Sequence, residues 1–257
     1  MDLNLKGKVV LITGSGKGIG KEAARAFIRE GACVILNDID AASLEKTRAE
    51  LEKTYGVTVG AKCCNIADEE SVVKLFREIE KEYGVLDVLV NNAGITMDKP
   101  VVDMSFAEWR KIFSVNIDSY FLCTREAVRI MKRERRPVIL NAGSVASFLP
   151  AMGYGCYAVT KAAVLNFTKV TCGELAGRGV RVVGYSPGMT NTTINKEVFA
   201  AEPTRICAQI PLNRVADPEE IGRVIAFLSS DAASYMAGCM VQIDGGKLCV
   251  QNADRYR

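Results

Sequence analysis

The chain has 257 residues, 49% of them apolar and 25% charged, with a net charge of +3. That length and balance suit one large globular α/β domain or two small ones, and the weak charge excludes a polybasic nucleic-acid or membrane-surface protein. Nine cysteines and no histidine exclude Ser-His and Cys-His hydrolase mechanisms, leaving proton transfer to Tyr, Lys, Asp, Glu or Cys.

The N-terminus, Met1-Asp2-Leu3-Asn4, lacks the basic and then apolar blocks of a signal peptide, and no apolar run approaches a membrane span. A cytoplasmic protein is expected. The scattered cysteines, with Cys63 and Cys64 adjacent and no Cys-x-x-Cys pair, read as small buried hydrophobes in a reducing compartment, with no metal site.

Residues 8–13 form a short β-branched run and predict a buried strand. The run breaks into Gly14-Ser15-Gly16-Lys17-Gly18-Ile19-Gly20, followed by a helical pattern over 21–29. Strand, glycine turn and helix in that order make a dinucleotide cradle. Gly14 permits the tight turn, Gly18 and Gly20 admit a pyrophosphate, and the helix N-terminus supplies N–H donors. The second strand, 32–37, ends at Asp38, where a carboxylate holds ribose hydroxyls and repels a 2′-phosphate. Asp40 suits the N-cap of the next helix. Lys17 either meets a 2′-phosphate or is a solvated loop charge. Asp38 outweighs it, so NAD (NADH) is the expected cofactor, without excluding NADP.

The alternation continues. Residues 57–61 predict a strand, and Asp68-Glu69-Glu70-Ser71 opens a capped helix to about Tyr83. Residues 86–90 are a strand ending in Asn91-Asn92-Ala93-Gly94. Ser105-Phe106-Ala107-Glu108 is a capping box on a long helix expected to reach about Lys132. A strand over 137–140, a helix over 155–176 and a strand over 180–185 follow, the last ending in Pro187-Gly188. Asp217-Pro218-Glu219-Glu220 reads as N-cap, Pro at N1 and Glu at N3. Residues 240–243 form the last strand. Strands alternate with helices and no linker interrupts them. They predict a single-domain Rossmann fold over 1–257, a doubly wound parallel sheet of about seven strands flanked by helices.

Tyr157 and Lys161 are four apart and share one helix face. An ammonium beside a phenol favours phenolate, which makes a general acid/base usable near neutral pH. Ser144, beyond the 138–140 run, is placed to hydrogen-bond the same substrate oxygen. On residue types alone the pair also fits a half-buried tyrosine beside a surface lysine. Asn91 and Asn116 likewise fit a strand-end turn and a packing amide.

Thr13-Gly14-x-x-x-Gly18-x-Gly20, Asn91-Asn92-Ala93-Gly94, Asn116, Ser144, Tyr157-x-x-x-Lys161 and Pro187-Gly188-x-x-x-Thr192 occur in this order. Through them essentially the whole chain closely resembles the single-domain short-chain dehydrogenase/reductases. The resemblance implies an NAD(P)-dependent enzyme moving a hydride between nicotinamide and a secondary alcohol or ketone. It implies that Tyr157 exchanges the proton at the substrate oxygen and that Lys161 lowers the tyrosine pKa and bonds the nicotinamide ribose. Ser144 would polarise the carbonyl, and Asn116 would hold a water linking Lys161 to solvent. The implied cofactor site comprises Gly14, Ser15, Lys17, Gly18, Ile19, Gly20, Asp38, Ile39, Asn65, Ile66, Asn92, Ala93 and Gly94. Tyr157, Lys161, Pro187, Gly188, Thr190 and Thr192 complete it. Two departures stand out: Asn65 where members often have Asp, and Arg181-Val182-Val183-Gly184 where they often read Arg-Val-Asn.

The substrate site is expected from Ile95 and Met97, from the 145–154 segment and from a lid at about 189–209. Ser144 would meet the substrate there, and Phe148, Leu149, Met152, Tyr154, Met189, Val198 and Phe199 would make the site largely apolar, which suits an acyl chain or a steroid. Some of these side chains equally fit lid packing or a subunit contact. Arg135 and Arg178 fall where the bacterial 3-oxoacyl-carrier-protein reductases, in the resemblance, receive an acidic carrier; a solvated helix end is the other reading. The expected substrate is thus a small ketone or alcohol, handled in the manner of a 3-oxoacyl thioester reductase, with an acidic acyl carrier as a partner. A hydroxysteroid dehydrogenase of the bile-acid type is the alternative. A non-catalytic NAD(P)(H)-sensing protein is the alternative from another class. The family usually assembles as dimers or tetramers through helices 105–132 and 155–176, so a homotetramer is expected.

Overall fold

Val9–Thr13 form β1, and all five residues are buried, because helices cover both faces of a parallel sheet and leave neither face to water. The computed structural model of the chain describes residues 2–193, 196–250 and 253, without the side chains of 196–198. The other strands are β2 (Cys33–Asp38), β3 (Gly60–Cys63), β4 (Val88–Asn91), β5 (Val138–Ala142), β6 (Arg181–Pro187) and β7 (Met240–Ile243). They pair in the order β3-β2-β1-β4-β5-β6-β7, all parallel. Val10 lies opposite Val34 on one side and Val88 on the other. The chain builds outward from β1 to β3, then returns to start β4 on the opposite side. The strand order thus reverses between β1 and β4, and sheets of this kind bind ligands at the C-terminal strand ends of such a point.

The helices are α1 (Gly18–Arg29), α2 (Ala41–Tyr55), α3 (Glu69–Tyr83), α4 (Phe106–Phe113), α5 (Ser119–Ile130), α6 (Gly155–Ala176), α7 (Lys196–Ala201), α8 (Pro203–Ala208) and α9 (Pro218–Ser229). Successive strand residues face opposite ways. Val10, Ile12 and Leu36 therefore pack with Phe27 and Ile225 in one core, and Leu11, Ile35 and Leu89 with Phe76 and Cys123 in the other. Each such side chain contributes about 1.5–3 kcal/mol by leaving water. Asp40 and Asp68 cap their helices, and Ser105 with Glu108 and Asp217 with Glu220 form the predicted capping boxes. Among the described residues no helix is long and apolar enough to cross a membrane.

Several boundaries differ from the sequence reading. β3 begins at Gly60 rather than 57, because Asn37 donates to the Lys62 and Cys64 carbonyls and draws that stretch onto β2, leaving Val57 exposed. The helix expected to reach Lys132 is interrupted by a π turn at Ser114–Asp118 and stops at Ile130, with Lys132 already extended. β5 and β6 run on to Ala142 and Pro187. The Val183-Gly184 departure is a matter of packing: Val183 is fully buried, and a Cβ added at Gly184 would lie 2.5 Å from the Met240 methyl.

Arg135 requires a correction. Its guanidinium grips Asp87, Nε to Oδ1 at 2.5 Å and a terminal nitrogen to Oδ2 at 2.6 Å. Asp87 is 1% exposed and also accepts from the Val9 amide at 2.8 Å. Lys8 Nζ lies 3.9 Å from the same carboxylate and donates to the Arg135 carbonyl. This cluster sits where β1, β4 and β5 begin, the edge opposite the one at which α6 begins. Arg178 follows the far end of α6, roughly 30 Å from its start at 1.5 Å per residue. Within the chain, neither arginine stands at the mouth of the site.

Candidate active site

The turn from β1 into α1 is built for backbone approach. Gly14 and Gly18 have φ of 62° and 59°, a left-handed conformation that favours glycine. A Cβ added at Gly14 would lie 2.8 Å from the Ala93 Cα, and one at Gly20 would strike the Gly14 carbonyl. The α1 N-cap, Lys17, makes no side-chain cap. The N–H groups of the first turn are therefore left for a phosphate, and the cradle fits the dinucleotide that the motif implies.

Ser15 does not face this cradle. It is fully buried, donates to the Ile12 carbonyl at 2.9 Å and accepts from the Asn37 amide at 2.9 Å, which locks the loop to β2. Asp38 does face it. Its Oδ2 accepts from the Gly16 amide at 2.9 Å and its Oδ1 from the Asp40 amide at 3.0 Å. Ile39 beside it is 68% exposed. Asn65 is exposed and caps its own turn through the Ala67 amide, whereas the Ile66 side chain belongs to the core. Only the backbone of Ile66 is therefore open to a ligand.

Neutral polar groups tie the strand ends together. Thr13 Oγ1 accepts from the Asn92 and Ala93 amides at 3.0 and 3.1 Å. Asn92 Nδ2 donates to the Thr13 and Gly14 carbonyls, and the Tyr185 hydroxyl donates to Asn92 Oδ1 at 3.1 Å. Asn91 donates to Asn141 Oδ1 at 2.9 Å, and Asn141 donates to Thr168 Oγ1 at 3.1 Å. Every one of these bonds joins groups far apart in sequence.

Ser144 heads a short 3₁₀ turn after β5. Its amide donates to Ser147 Oγ at 3.1 Å, and Ser147 donates to the Lys161 carbonyl at 2.9 Å. That bridge sets the serine turn against α6, whose first two turns carry Tyr157 and Lys161. The Ser144 hydroxyl accepts from the Ala146 amide at 3.1 Å and lies near enough to the Tyr157 phenol to favour its ionised form. Lys161 is 3% exposed; its Nζ donates to the Ala142 carbonyl at 2.8 Å and the Tyr120 hydroxyl at 3.4 Å, and lies 5.7 Å from the Tyr157 ring centre. Burial pushes the Lys161 ammonium down to about 7. Burial also pushes the Tyr157 phenol above its ordinary value, opposed by nearby Ser144. Burial outweighs Ser144 at Tyr157, whose phenol is therefore held above its ordinary value and is placed to give its proton away.

Asn116 sits in the π turn, fully buried. Its amide nitrogen donates to the Ile95 carbonyl at 2.9 Å and Thr160 Oγ1 at 3.0 Å, and its oxygen accepts from the Ile95 amide at 2.9 Å. Both amide hydrogens are engaged, so any water there meets only its oxygen or its backbone. A Cβ at Gly94 would lie 3.4 Å from Lys161 Nζ and 3.5 Å from Asn116 Oδ1, so Gly94, Asn116 and Lys161 share one corner. Tyr120 and Ser147 escaped the sequence reading. Tyr120, four residues after Asn116, donates to the Ala93 carbonyl at 3.1 Å. Ser144-x-x-Ser147 is a capping pattern that was there to be read.

At the mouth, Phe148, Leu149 and Met152 are exposed, Met152 almost completely. Tyr154 is half-buried and donates to Asp98 at 3.3 Å. Pro187-Gly188 is pinned by the Gly188 amide donating to the Ile243 carbonyl at 2.9 Å. The Thr192 methyl reaches within 3.4 Å of a Cβ position on Gly18, joining this loop to the glycine turn. Thr190 is buried and donates to the Gly188 carbonyl at 3.1 Å. Met189 and Asn191 bond the backbone of Ala216 on either side, closing the base of the 191–215 excursion that contains α7 and α8. Phe199 is half-buried, and the Val198 side chain lies outside the described residues.

Residues 14–247 match the family model described as enoyl-(acyl carrier protein) reductase. The chain is 38% identical over 244 residues to the 3-oxoacyl-(acyl-carrier-protein) reductase of Thermotoga maritima, covering 95% of this chain and 99% of that protein. It is 32% identical to the Escherichia coli protein of that name, covering 96% and 100%. Among solved structures, L-sorbose reductase from Gluconobacter frateurii, complexed with NADPH and L-sorbose, superposes with a TM-score of 0.91 at 29% identity, covering 97% of this chain and all of that one. A short-chain type dehydrogenase/reductase from Mycobacterium marinum superposes with a TM-score of 0.90 at 30% identity, covering 97% and 98%.

Proposed function

The chain belongs to the short-chain dehydrogenase/reductase family and is an NAD(P)-dependent oxidoreductase; from that premise we propose that it reduces the 3-oxo group of an apolar acyl thioester to a secondary alcohol. One observation carries the chemistry. Tyr157 and a buried Lys161 lie about one helical turn apart on α6, the lysine nitrogen 5.7 Å from the tyrosine ring centre, beside the Ser144 turn and at the end of the sheet that also bears the glycine cradle. When bound, the nicotinamide supplies the hydride. Tyr157 gives its proton to the developing alkoxide. Ser144 holds the carbonyl oxygen in line, and Lys161, charged near neutral pH, stabilises the negative charge left on the tyrosine. Asn116 and Gly94 shape the corner in which Lys161 sits.

The acyl substrate is supported by the named activity of the relatives and by the apolar rim of Phe148, Leu149 and Met152. Residues 189–209 are assigned as the lid, with Met189 at its base. Gly14, Lys17, Gly18, Ile19 and Gly20 are assigned to the cofactor with Asp38, Ile39, Asn65, Asn92, Ala93, Pro187, Gly188, Thr190 and Thr192. Ser15 and Ile66 contribute structure and backbone only. NADH is preferred over NADPH in this reading, because the Asp38 carboxylate is held on the loop that would face a 2′-phosphate, and Lys17 lies within the field of Asp40. An acidic acyl carrier stays a partner on the strength of the relatives' substrate, since Arg135 is engaged by Asp87. A homotetramer in the cytoplasm is the assembly we assign, supported by exposed Phe121, Val159 and Val170 on α5 and α6.

The test is oxidation of NADH and of NADPH with a short 3-oxoacyl thioester, with Tyr157→Phe beside the unsubstituted chain. Turnover that the substitution lowers about a thousandfold is expected, with cofactor binding intact. Turnover retained in Tyr157→Phe would remove the tyrosine from its role.

A further inference from the structure

The helix that carries Tyr157 and Lys161 has an unprotected start. Tyr154 is the N-cap of α6 and gives no side-chain cap, and the first turn holds no acidic residue. Uncapped first turns leave N–H groups unsatisfied and fray. Tyr157 stands in that first turn, where fraying would move the reacting phenol.

What fixes it comes from the loop after Gly94. The Lys99 amide donates to the Gly153 carbonyl at 2.7 Å. The Tyr154 hydroxyl donates to Asp98 Oδ2 at 3.3 Å. Asp98 Oδ1 fills the space a side chain on Gly153 would need, and Gly153 has φ of 83°. A Cβ on Gly155 would lie 2.5 Å from a Val101 methyl. The loop is itself anchored on both sides. Asn116 holds the Ile95 backbone at 2.9 Å from both its amide and its carbonyl, and Lys99 Nζ lies 2.9 Å from both oxygens of Glu108 in the α4 capping box.

We propose that Asp98, through Tyr154 and Gly153, is a positioning residue that holds the first turn of α6, and thereby the Tyr157 phenol, against Ser144. The loop starts at Asn92-Ala93-Gly94, which lies against the Gly14 turn and Lys161, in the proposed cofactor site. The latch therefore joins the wall assigned to the cofactor to the helix that supplies the proton. Its worth is geometric: a displacement of about 1 Å at a reacting group lowers turnover about a hundredfold. The inference rests on the role of Tyr157 given above.

Asp98→Ala, Tyr154→Phe and Asp98→Asn separate the possibilities. Asp98→Ala and Tyr154→Phe are expected to lower kcat about ten- to a hundredfold and to leave the NADH dissociation constant within about twofold, as the cradle is untouched. Asp98→Asn keeps an oxygen for the Tyr154 hydroxyl and is expected to restore kcat to within about threefold of the unsubstituted chain. Unchanged kcat in both disabling variants would overturn the proposal. So would a parallel loss of NADH affinity, or an Asp98→Asn as slow as Asp98→Ala. Amide hydrogen exchange over residues 157–159 reads the latch without turnover. Asp98→Ala should accelerate it about tenfold or more, and unchanged exchange would overturn the proposal even where the thioester proves the wrong substrate. Failure of the Tyr157 role shows separately, as turnover surviving in Tyr157→Phe.

Discussion

The two edges of the sheet bury polar groups by opposite means. At the N-terminal edge charge meets charge: Asp87, 1% exposed, is held by Arg135, by the Val9 amide and by nearby Lys8. At the C-terminal edge the inner strands end in neutral groups, with Thr13, Asn91, Asn92, Asn141 and Tyr185 bonded to one another or to backbone. The buried charge on that side is Lys161, and its ammonium bonds a carbonyl and a hydroxyl rather than a carboxylate. A compensated charge stabilises the fold and does nothing else. An uncompensated one is held near its own titration point, which is what acid–base chemistry needs.

Removing the uncompensated charge should have the largest effect. Lys161→Met is expected to lower turnover about a thousandfold and yet to raise stability at pH 7 by about 1–3 kcal/mol, the relief of burying an ammonium less the two hydrogen bonds it makes. The pH dependence follows from Lys161 titrating at about 7 in the fold against its ordinary 10.5. Below about pH 7 both folded and unfolded chains carry the charge, so the whole penalty of burying it is present. Between there and 10.5 the folded group is neutral while the unfolded one still holds its proton, and the penalty is relieved as pH rises. The gain of Lys161→Met should therefore be greatest at or below pH 7 and fade toward 10.5 in denaturant titrations. A gain independent of pH would show that packing, not charge, is its source.

The opposite edge should respond in reverse. Arg135→Ala leaves the Asp87 carboxylate buried with the Val9 amide and Lys8 as its remaining partners, and is expected to cost about 3–4 kcal/mol of stability. Turnover of a small thioester should stay within about twofold, because the site lies at the other edge. A specific loss of turnover at unchanged stability would return Arg135 to the functional role its position in the sequence suggested.

That misplacement shows where sequence reading stops. The glycine turn, the caps at Asp40, Asp68, Ser105 and Asp217, and the strand–helix alternation were legible because each is specified within a few residues. Asp87 and Arg135 meet across 48 positions, because β4 and β5 are neighbours in the sheet. No local pattern announces such a pair, so Arg135 read as a carrier contact or a solvated helix end. The Ser15 hydroxyl was hidden for a related reason. Its hydroxyl follows the register of β1 on β2, which turns it toward Asn37 and away from the cradle. The π turn at Asn116 likewise depends on a bond to Ile95, 21 positions away, that fixes the amide inside an otherwise ordinary helical sequence.

Asp38 breaks the neutral rule of the C-terminal edge, and its substitution carries the smallest expected effect. Its two oxygens accept from Gly16 and Asp40 backbone amides, and it is half-buried. Removing it should cost about 1 kcal/mol of stability or less, since the freed amides can reach water. Its charge serves selection instead. A phosphate brought to the same loop would face that carboxylate at close range, and Lys17 is partly answered by Asp40. Asp38→Ala should shift the ratio of kcat/KM for NADH over NADPH by about tenfold toward NADPH, a difference of about 1.4 kcal/mol. Most of the shift should appear in KM, because the carboxylate acts on the cofactor's far end and not on the reacting atoms. An unchanged ratio would assign cofactor choice to Lys17 and leave Asp38 as a brace for the glycine turn.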